Sequence, residues 1–277
     1  MQNFKKLIFY IIEKSNFLAK NLHKIWMFYT SIKCFIKLYL YKYTSIKIKS
    51  LSDRGQDIWV VELFHSRKED SIINEKSNEN KISFKRKFFL EIGAGDGFFN
   101  SNTFILEKNY NWTGILVEPD PEQFAKLKKN RRSSCILSND LIWNKKEKIN
   151  FFQNGELSKV VINKNDTLKK NNNYLKLNAI SLEELLKKYN APKIIDFFSL
   201  DVEGSEEQVL IPCIKEYIFL SLTIERPSLL LNSCLIANDY FFIKNSIYDS
   251  FYVHKSISNF NEIKKYSFSQ LPAKRYI

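Results

Sequence analysis

The pattern of apolar and polar positions changes after residue 84, where short apolar runs begin to alternate with amphipathic stretches. Each run has the length and the nearly continuous apolar character of a buried parallel strand. The five runs are residues 87–94, 112–119, 134–143, 194–202 and 218–225. Helical stretches lie between some of them, at 102–110, 121–132 and 181–190. This alternation predicts βαβ units, and hence a parallel sheet covered by helices.

The aromatic-rich residues 240–257 are typical of two further strands, which we expect to form an antiparallel hairpin at one side of the sheet. Ser181 and Glu184 have the spacing of a capping box, which predicts that the third helical stretch begins there. The whole pattern indicates an α/β domain with a doubly wound, mostly parallel sheet. Ligands of such a sheet gather at the carboxyl ends of its strands. Two polar stretches, 66–83 and 162–173, are predicted to be surface loops.

Residues 1–50 differ from the rest and form a predicted basic, aromatic and helical extension, which is followed by one domain at 51–277. The extension contains ten lysines and a single glutamate, and so accounts for most of the net charge of +13. Its residues 25–41 are nearly long enough to span a bilayer, but Lys33 and Lys37 interrupt the run on one helix face. We expect this segment either to lie in an anionic membrane interface or to pack on the domain with its lysines in water.

The distribution of charged residues and cysteines limits the candidate partners and compartments. Residues 51–277 are only mildly basic and contain no recognised RNA-binding motif, so nucleic acid is a disfavoured partner. The four cysteines are widely scattered and form no metal-ligand pattern, which indicates a reducing compartment and no structural zinc. No secretory signal is recognised. The sequence therefore predicts a cytoplasmic protein, with a peripheral position at the membrane if the extension binds lipid.

The first apolar run ends in a glycine cluster with the sequence FFLEIGAGDGFF. Its glycines, which let the backbone approach a ligand, are Gly93, Gly95 and Gly97. The spacing is not that of a dinucleotide-binding turn, and the Gly-Lys-Ser/Thr of a phosphate-binding loop is missing. Glu91 before the glycines repels a pyrophosphate but accepts hydrogen bonds from an ammonium, and Asp96 adds to this preference. These residues favour S-adenosylmethionine, which carries an ammonium and a sulfonium but no phosphate.

Polar and charged side chains also end other apolar runs. Glu118, at the end of the second run, is placed to accept hydrogen bonds from both ribose hydroxyls of a nucleoside, which NAD and S-adenosylmethionine share. Asn139 or Asp140, near the end of the third strand, is the candidate partner of the adenine amino group, with a plain turn as the alternative. Glu225 and Arg226 end the fifth run, and we expect them to point towards the same edge of the sheet.

Two carboxylates follow the fourth run and are the predicted catalytic residues, Asp201 and Glu203. Alternation along a strand places both on one side, and Gly204 lets the chain turn into a helix. They would orient an acceptor or remove its hydroxyl proton during methyl transfer. Two alternatives stay open. The pair holds a divalent cation that lowers the pKa of the hydroxyl, or Glu203 and Glu206 only complement a helix N-terminus. No metal ligand is assigned.

Segments 52–64, 88–121 and 194–210 together resemble the FkbM-type methyltransferases, over about residues 51–255. The resemblance implies an S-adenosylmethionine-dependent enzyme with a Rossmann-like sheet of the class I methyltransferase type, which methylates hydroxyl oxygens of small molecules or sugars. It also implies a functional site at 201–204, and it places Gln56 and Asp57 near the pocket. The donor contacts that it implies come from Glu91, Gly93, Asn102, Thr103 and Glu118.

We therefore expect an S-adenosylmethionine-dependent methyltransferase that acts on a hydroxyl of a saccharide, a glycan or another small molecule. Two readings from other classes remain open. One is an RNA methyltransferase that uses the basic extension, which predicts RNA affinity that falls steeply with salt. The other is a non-catalytic, membrane-associated binding protein of the same fold, which predicts binding without turnover.

Overall fold

The computed structural model describes residues 32, 36, 37, 39, 48–65, 86–131, 134–161 and 173–264. The chain divides into two compact units, Met1–Ile48 and Lys49–Ile277, and every element named here belongs to the second. Most of the predicted extension at 1–50, the loop at 66–83 and nearly all of 162–173 lie outside the described residues. In the described part of the chain, no helix combines the length and the apolar character that crossing a membrane requires.

Strands and helices alternate along the described chain as the apolar pattern predicts, except over residues 136–181 and in the hairpin at 240–254, where strands follow one another without an α-helix between them. The strands are β1 Phe88–Ile92, β2 Thr113–Val117, β3 Ile136–Ser138, β4 Leu141–Trp143, β5 Glu147–Phe152, β6 Lys159–Val160, β7 Tyr174–Ser181, β8 Ile194–Leu200, β9 Ile218–Glu225, β10 Tyr240–Ser246 and β11 Asp249–His254. The α-helices are α1 Gln56–Phe64, α2 Phe104–Tyr110, α3 Pro121–Asn130, α4 Leu182–Lys188, α5 Glu206–Leu210, α6 Leu229–Ala237 and α7 Phe260–Lys264.

The larger sheet has seven strands in the order β10-β11-β9-β8-β1-β2-β3. Strands β3, β2, β1, β8 and β9 pair in parallel, so the prediction of a mixed α/β fold with a mainly parallel sheet is confirmed. Strands β10 and β11 form the antiparallel hairpin expected at one side, and β11 also runs antiparallel to β9. The register aligns Ile92 of β1 with Val117 and Leu200, so the carboxyl ends of the central strands meet at one edge.

The prediction of one strand over residues 134–143 is wrong. This run contributes β3 to the larger sheet and β4 to a second sheet, with the order β4-β7-β5-β6. The break falls at Asn139 and Asp140, where the Asp140 backbone N–H and carboxylate both hydrogen-bond the Ser138 hydroxyl. Such a local turn competes with strand pairing. Strands β5, β6 and β7 were not predicted from the sequence.

Helices cover both faces of the larger sheet, which explains why its strands are apolar at almost every position. Leu90 of β1 packs in a buried cluster that includes Leu185 of α4. Its neighbour Phe89 points to the other face and packs in a second cluster with Trp59 of α1 and Leu106 of α2. The two covered faces leave the edges of the sheet as the places where polar groups from several strands can meet.

Candidate functional site

The carboxyl edge of the larger sheet brings together residues that lie far apart in the sequence. The glycine turn follows β1, Glu118 follows β2, and Asp201 follows β8. Strand β11 runs the other way, so its first residue, Asp249, lies opposite Glu225 at the end of β9. This edge therefore carries the predicted donor-binding residues on one half and a group of carboxylates on the other.

The glycines of the turn serve different purposes. The N–H groups of Gly93 and Ala94 both donate to the Val117 carbonyl and so fix the turn to β2. A Cβ on Gly93 would lie 1.8 Å from the backbone oxygen of Asp201, and one on Gly97 would lie 2.3 Å from Leu127 Cδ1. Gly95 also has a positive φ, of 53°, but no atom lies within 4 Å of the position of a Cβ. Close packing therefore requires glycine at positions 93 and 97, while Gly95 borders open space.

Glu118 is buried and holds this turn through its carboxylate. Oε2 accepts from the Gly95 N–H at 2.8 Å, and Oε1 accepts from the Asp120 N–H at 2.8 Å. Burial raises the pKa of Glu118 to about 7, because the two amide hydrogen bonds compensate only in part. A carboxylate has about four acceptor positions, so the two amides leave room for donors from a ligand. The geometry suits a pair of ribose hydroxyls.

The Glu91 side chain is buried, and only 3% of the residue's surface is exposed. Oε1 accepts from the Asn102 N–H at 2.9 Å, and Oε2 accepts from the Thr103 hydroxyl at 2.5 Å. Burial raises the pKa of Glu91, against the attraction of Arg131. The observed role of Glu91 is thus to hold the start of α2 against β1. Its direct contact with an ammonium stays a prediction.

Asn102 carries a buried acceptor that no described residue satisfies. Its Nδ2 donates to the Ser199 hydroxyl at 2.9 Å, whereas Oδ1 has no hydrogen-bond partner among the described residues. Burying an unpaired polar atom is costly, so such an atom in a native site indicates a missing ligand or water. Thr103 differs, because its hydroxyl donates to Glu91 and accepts from Arg131.

The remaining predicted donor-side residues have local partners. Asp96 Oδ1 accepts from the N–H groups of Phe98 and Phe99 and so closes the turn after Gly95. Asp140 forms an ion pair with Lys188 at 2.7 Å. Asn139 is exposed. Contacts of these residues with an adenosyl group stay predictions.

Arg131 is a part of this region that sequence reasoning missed. Its side chain is buried beneath the glycine turn, where it pairs with Glu107 at 2.5 Å. Its guanidinium also donates to the Gly97 carbonyl, the Ser101 hydroxyl and the Thr103 hydroxyl. In the sequence, Arg131 belongs to a lysine- and arginine-rich run at the end of a helix, which is typical of a solvated surface. No local signal separates it from its basic neighbours.

The other half of the edge is a group of carboxylates. One oxygen each from Asp201, Glu203 and Glu225 lies within 4.8 Å of the others. Asp201 is exposed as a residue, yet the protein around its carboxyl desolvates that group and raises its pKa above the ordinary value. The nearby Glu225 and Glu203 add to this rise, and Asp201 and Glu225 share a hydrogen bond.

Glu203 has two cations nearby, Arg226 and Lys159. Burial and the charge of Glu225 raise the pKa of Glu203 to about 7, and Arg226 and Lys159 oppose this rise. Arg226 Nη1 lies 2.9 Å from Glu225 and 3.9 Å from Glu203, and its guanidinium stacks on Tyr248. Glu203 and Arg226 have φ values of 51° and 43°, in the left-handed region that favours glycine. Backbone strain of this kind clusters at functional sites.

Asp249 joins the group from β11, and the sequence pattern gave no reason to single it out. It is buried, and burial together with the charge of Glu225 raises its pKa to about 7. Gln56 of α1 hydrogen-bonds Asp249, which agrees with its expected place near the pocket. Asp57 instead accepts from Ser50, Leu51 and Ser52 and shapes the segment that enters α1.

The second sheet reaches across the same edge. Ser158 donates to Asp120 Oδ2 at 3.0 Å, and Gln153 donates to Asp120 Oδ1 at 3.0 Å. Asp120 follows Glu118 closely, while Lys159 lies near enough to Glu203 to lower its pKa. The connection between β5 and β6 therefore extends from the donor half of the edge to the carboxylate half.

Comparison with known proteins identifies the family of this chain. The family model "Methyltransferase FkbM domain" matches residues 91–231, half of the chain. Ten chains of known structure match, including "Human methyltransferase 10 domain containing protein", at 13% identity and a TM-score of 0.40, over 81% of this chain and 92% of that chain. No curated protein sequence matches. From the family match, the chain belongs to the FkbM methyltransferase domain family and is a methyltransferase.

Proposed function

We propose that this protein transfers a methyl group from S-adenosylmethionine to a hydroxyl oxygen of a saccharide, a glycan or another small molecule. The observation that carries the proposal is the meeting, at one sheet edge, of the turn held by Glu118 and the carboxylates Asp201 and Glu203. We also propose that the sheet is Rossmann-like and of the class I methyltransferase type. Its strand order and its antiparallel β11 support this classification.

The residues of the donor half fit S-adenosylmethionine in their chemistry. Glu118 has acceptor positions for hydroxyls, and Gly95 leaves space beside it. The unpaired Asn102 Oδ1 is an acceptor that suits an ammonium. The carboxylates of Asp201 and Glu203 at the same edge disfavour a phosphate-bearing cofactor and favour a cationic one.

Bound S-adenosylmethionine supplies an electrophilic methyl group on its sulfonium. The acceptor oxygen must then be positioned and must lose its proton, and much of the rate comes from that positioning. Asp201, whose pKa is raised well above its ordinary value and which hydrogen-bonds Glu225, orients the acceptor. Glu203 titrates near pH 7, so its carboxylate accepts the hydroxyl proton as the new carbon–oxygen bond forms.

The carboxylate group also has a spacing that suits a divalent cation, which is the alternative role for Asp201, Glu203 and Glu225. Arg226 already lies between two of these carboxylates, so the proposal assigns no metal ion. Treatment with EDTA is expected to leave the methyl transfer rate unchanged. Loss of activity with EDTA that Mg²⁺ restores would assign the three carboxylates as metal ligands instead.

Titration of the purified protein with S-adenosylmethionine tests the donor. We expect binding by calorimetry, and we expect Glu118→Ala to weaken it by at least about 10-fold, because each charged hydrogen bond contributes about 1.5–3 kcal/mol. Glu122→Ala, which removes an exposed carboxylate four residues further on, is the control and should bind like the wild type. Binding of NAD without binding of S-adenosylmethionine would overturn the proposal.

The class of acceptor and the contact with a membrane are both proposed from the sequence. The lysines of residues 1–50 support contact with an anionic membrane surface, in a peripheral position. Binding of the full chain to anionic liposomes at low salt tests this contact. Transfer of labelled methyl groups into a cell extract, with the labelled product class identified, separates a small-molecule or glycan acceptor from RNA.

A further inference from the structure

Arg131 occupies a place beneath the glycine turn where one side chain joins several parts of the donor half. It follows α3 directly, and only 1% of its surface is exposed. Nε donates to Glu107 at 2.5 Å, Nη1 donates to the Gly97 carbonyl at 3.2 Å and the Ser101 hydroxyl at 3.0 Å, and Nη2 donates to the Thr103 hydroxyl at 2.9 Å. The guanidinium is therefore bonded to the turn itself and to the segment that begins α2.

A chain of hydrogen bonds continues from Arg131 towards Asn102. The Thr103 hydroxyl, which accepts from Arg131, donates to Glu91 Oε2. Glu91 Oε1 in turn accepts from the Asn102 backbone N–H at 2.9 Å. Charge-assisted hydrogen bonds are shorter and stronger than neutral ones, so this chain fixes the segment at 101–103 firmly. That segment carries the unpaired Asn102 Oδ1.

We propose that Arg131 is a positioning residue for the methyl donor. It holds the Gly97 carbonyl and the segment 101–103 in the geometry that binds S-adenosylmethionine, and it acts through these groups rather than by contact with the donor. The proposal rests on the proposed function, because it assumes that the donor binds at this turn. It also explains why the buried residue is an arginine, because an apolar side chain could fill the same space equally well.

Lys108 provides a matched comparison for Arg131. Both cations pair with Glu107, with Lys108 Nζ 2.5 Å from Oε1 and Arg131 Nε 2.5 Å from Oε2. Among the described residues, Lys108 donates to Glu107 and not to the glycine turn or to residues 101–103, whereas Arg131 makes three hydrogen bonds there. A variant of Lys108 therefore reports the loss of a cation beside Glu107 without the loss of support for the turn.

The experiment compares Lys108→Met, Arg131→Met and Arg131→Lys in the full chain by calorimetric titration with S-adenosylmethionine. Arg131→Met is expected to weaken donor affinity by about 10- to 100-fold, because it removes several charge-assisted hydrogen bonds. Arg131→Lys should lie between this variant and the wild type, because lysine keeps the charge but lacks the planar fork of donors. Lys108→Met should bind within about twofold of the wild type, because Glu107 keeps its pair with Arg131 and the turn keeps its hydrogen bonds.

Two further measurements separate positioning from general stability. Thermal unfolding identifies variants that are folded at the assay temperature. In steady-state assays, the KM for the donor should rise in Arg131→Lys, while the KM for the acceptor stays unchanged. If Arg131→Met does not fold, the donor affinities of Arg131→Lys and Lys108→Met are compared to test the positioning role.

Wild-type donor affinity in folded Arg131→Met, or in folded Arg131→Lys where the methionine variant does not fold, would overturn the positioning role. An equal loss of affinity in the Arg131 and Lys108 variants would overturn it as well. Failure of the wild-type protein itself to bind S-adenosylmethionine would instead overturn the proposed function.

Discussion

Replacing Glu203 with glutamine is expected to lower kcat for methyl transfer by about 10²- to 10⁴-fold, the usual contribution of a positioned general base. Glutamine keeps the size of the side chain but cannot accept the hydroxyl proton. Glu203 lies on the carboxylate half of the edge, after β8, while the donor turn follows β1. The affinity for S-adenosylmethionine should therefore change little, and a calorimetric titration beside the rate assay measures both.

The pH dependence of the same reaction gives an independent test of Glu203. A carboxyl with a pKa of about 7 is mostly protonated at pH 6 and mostly ionised at pH 8. Only the ionised form accepts a proton, so kcat of the wild type should rise with pH through about 7 and level off above it. In Glu203→Gln this step should disappear from the profile.

Glu216→Gln serves as the control for the change in net charge. Glu216 is exposed and lies just before β9, at the opposite edge of the sheet from Glu203. Its activity and its pH profile should match those of the wild type. If Glu203→Gln kept wild-type kcat and the same pH step, the proton would go to another acceptor, and the assignment of Glu203 as the base would be wrong.

The meeting of the glycine turn, Glu118 and Asp201 at one edge was predictable because each of them directly follows a strand. Buried parallel strands are recognisable from their apolar runs, and their carboxyl ends must meet at one edge. The positions of Gly93, Glu118 and Asp201 in the sequence therefore fix their positions in the fold. What the sequence did not reveal is how deep each side chain lies. Glu91 is buried and bonded to Asn102 and Thr103, and its contact with the donor stays a prediction.

The residues and strands that the sequence did not predict depend on contacts between distant segments. Asp249 reaches the carboxylate group because β11 is antiparallel and starts at the same edge, opposite Glu225. The sequence predicts the hairpin but not the strand that it joins. Arg131 is buried because α3 ends beneath the glycine turn, and its basic sequence context indicates the opposite. Strands β5 and β7 pair with each other across residues 153–173, and such pairing is not encoded locally.

The carboxylate group also departs from what stability alone would favour. Asp201, Glu203 and Asp249 all have raised pKa values, with burial as the first cause in each. Ionisation of such groups therefore disfavours the folded state as the pH rises above their ordinary range. Natural proteins accept such local costs mainly at functional sites. This physical argument supports the proposal that the reaction takes place at the carboxylate half.

Replacing Gly93 with alanine is expected to abolish the native fold or to destabilise it by about 4 kcal/mol or more, which is at the upper end for single substitutions. The new Cβ would lie 1.8 Å from the backbone oxygen of Asp201, and a backbone atom in a central strand connection cannot move aside. The φ of 85° adds strain for any residue with a Cβ. Urea unfolding at equilibrium measures the loss, with soluble expression as the first indicator.

Gly95→Ala is the matched control, because it makes the same chemical change two residues further along the same turn. Its Cβ meets no atom within 4 Å, and a φ of 53° costs alanine only about 1 kcal/mol. This variant should therefore fold, yet its methyl group enters the space beside Glu118 and should weaken binding of S-adenosylmethionine. If both variants lost stability equally, close packing against Asp201 would not be the reason for Gly93. If Gly95→Ala bound the donor like the wild type, the open space beside Gly95 would not be the donor site.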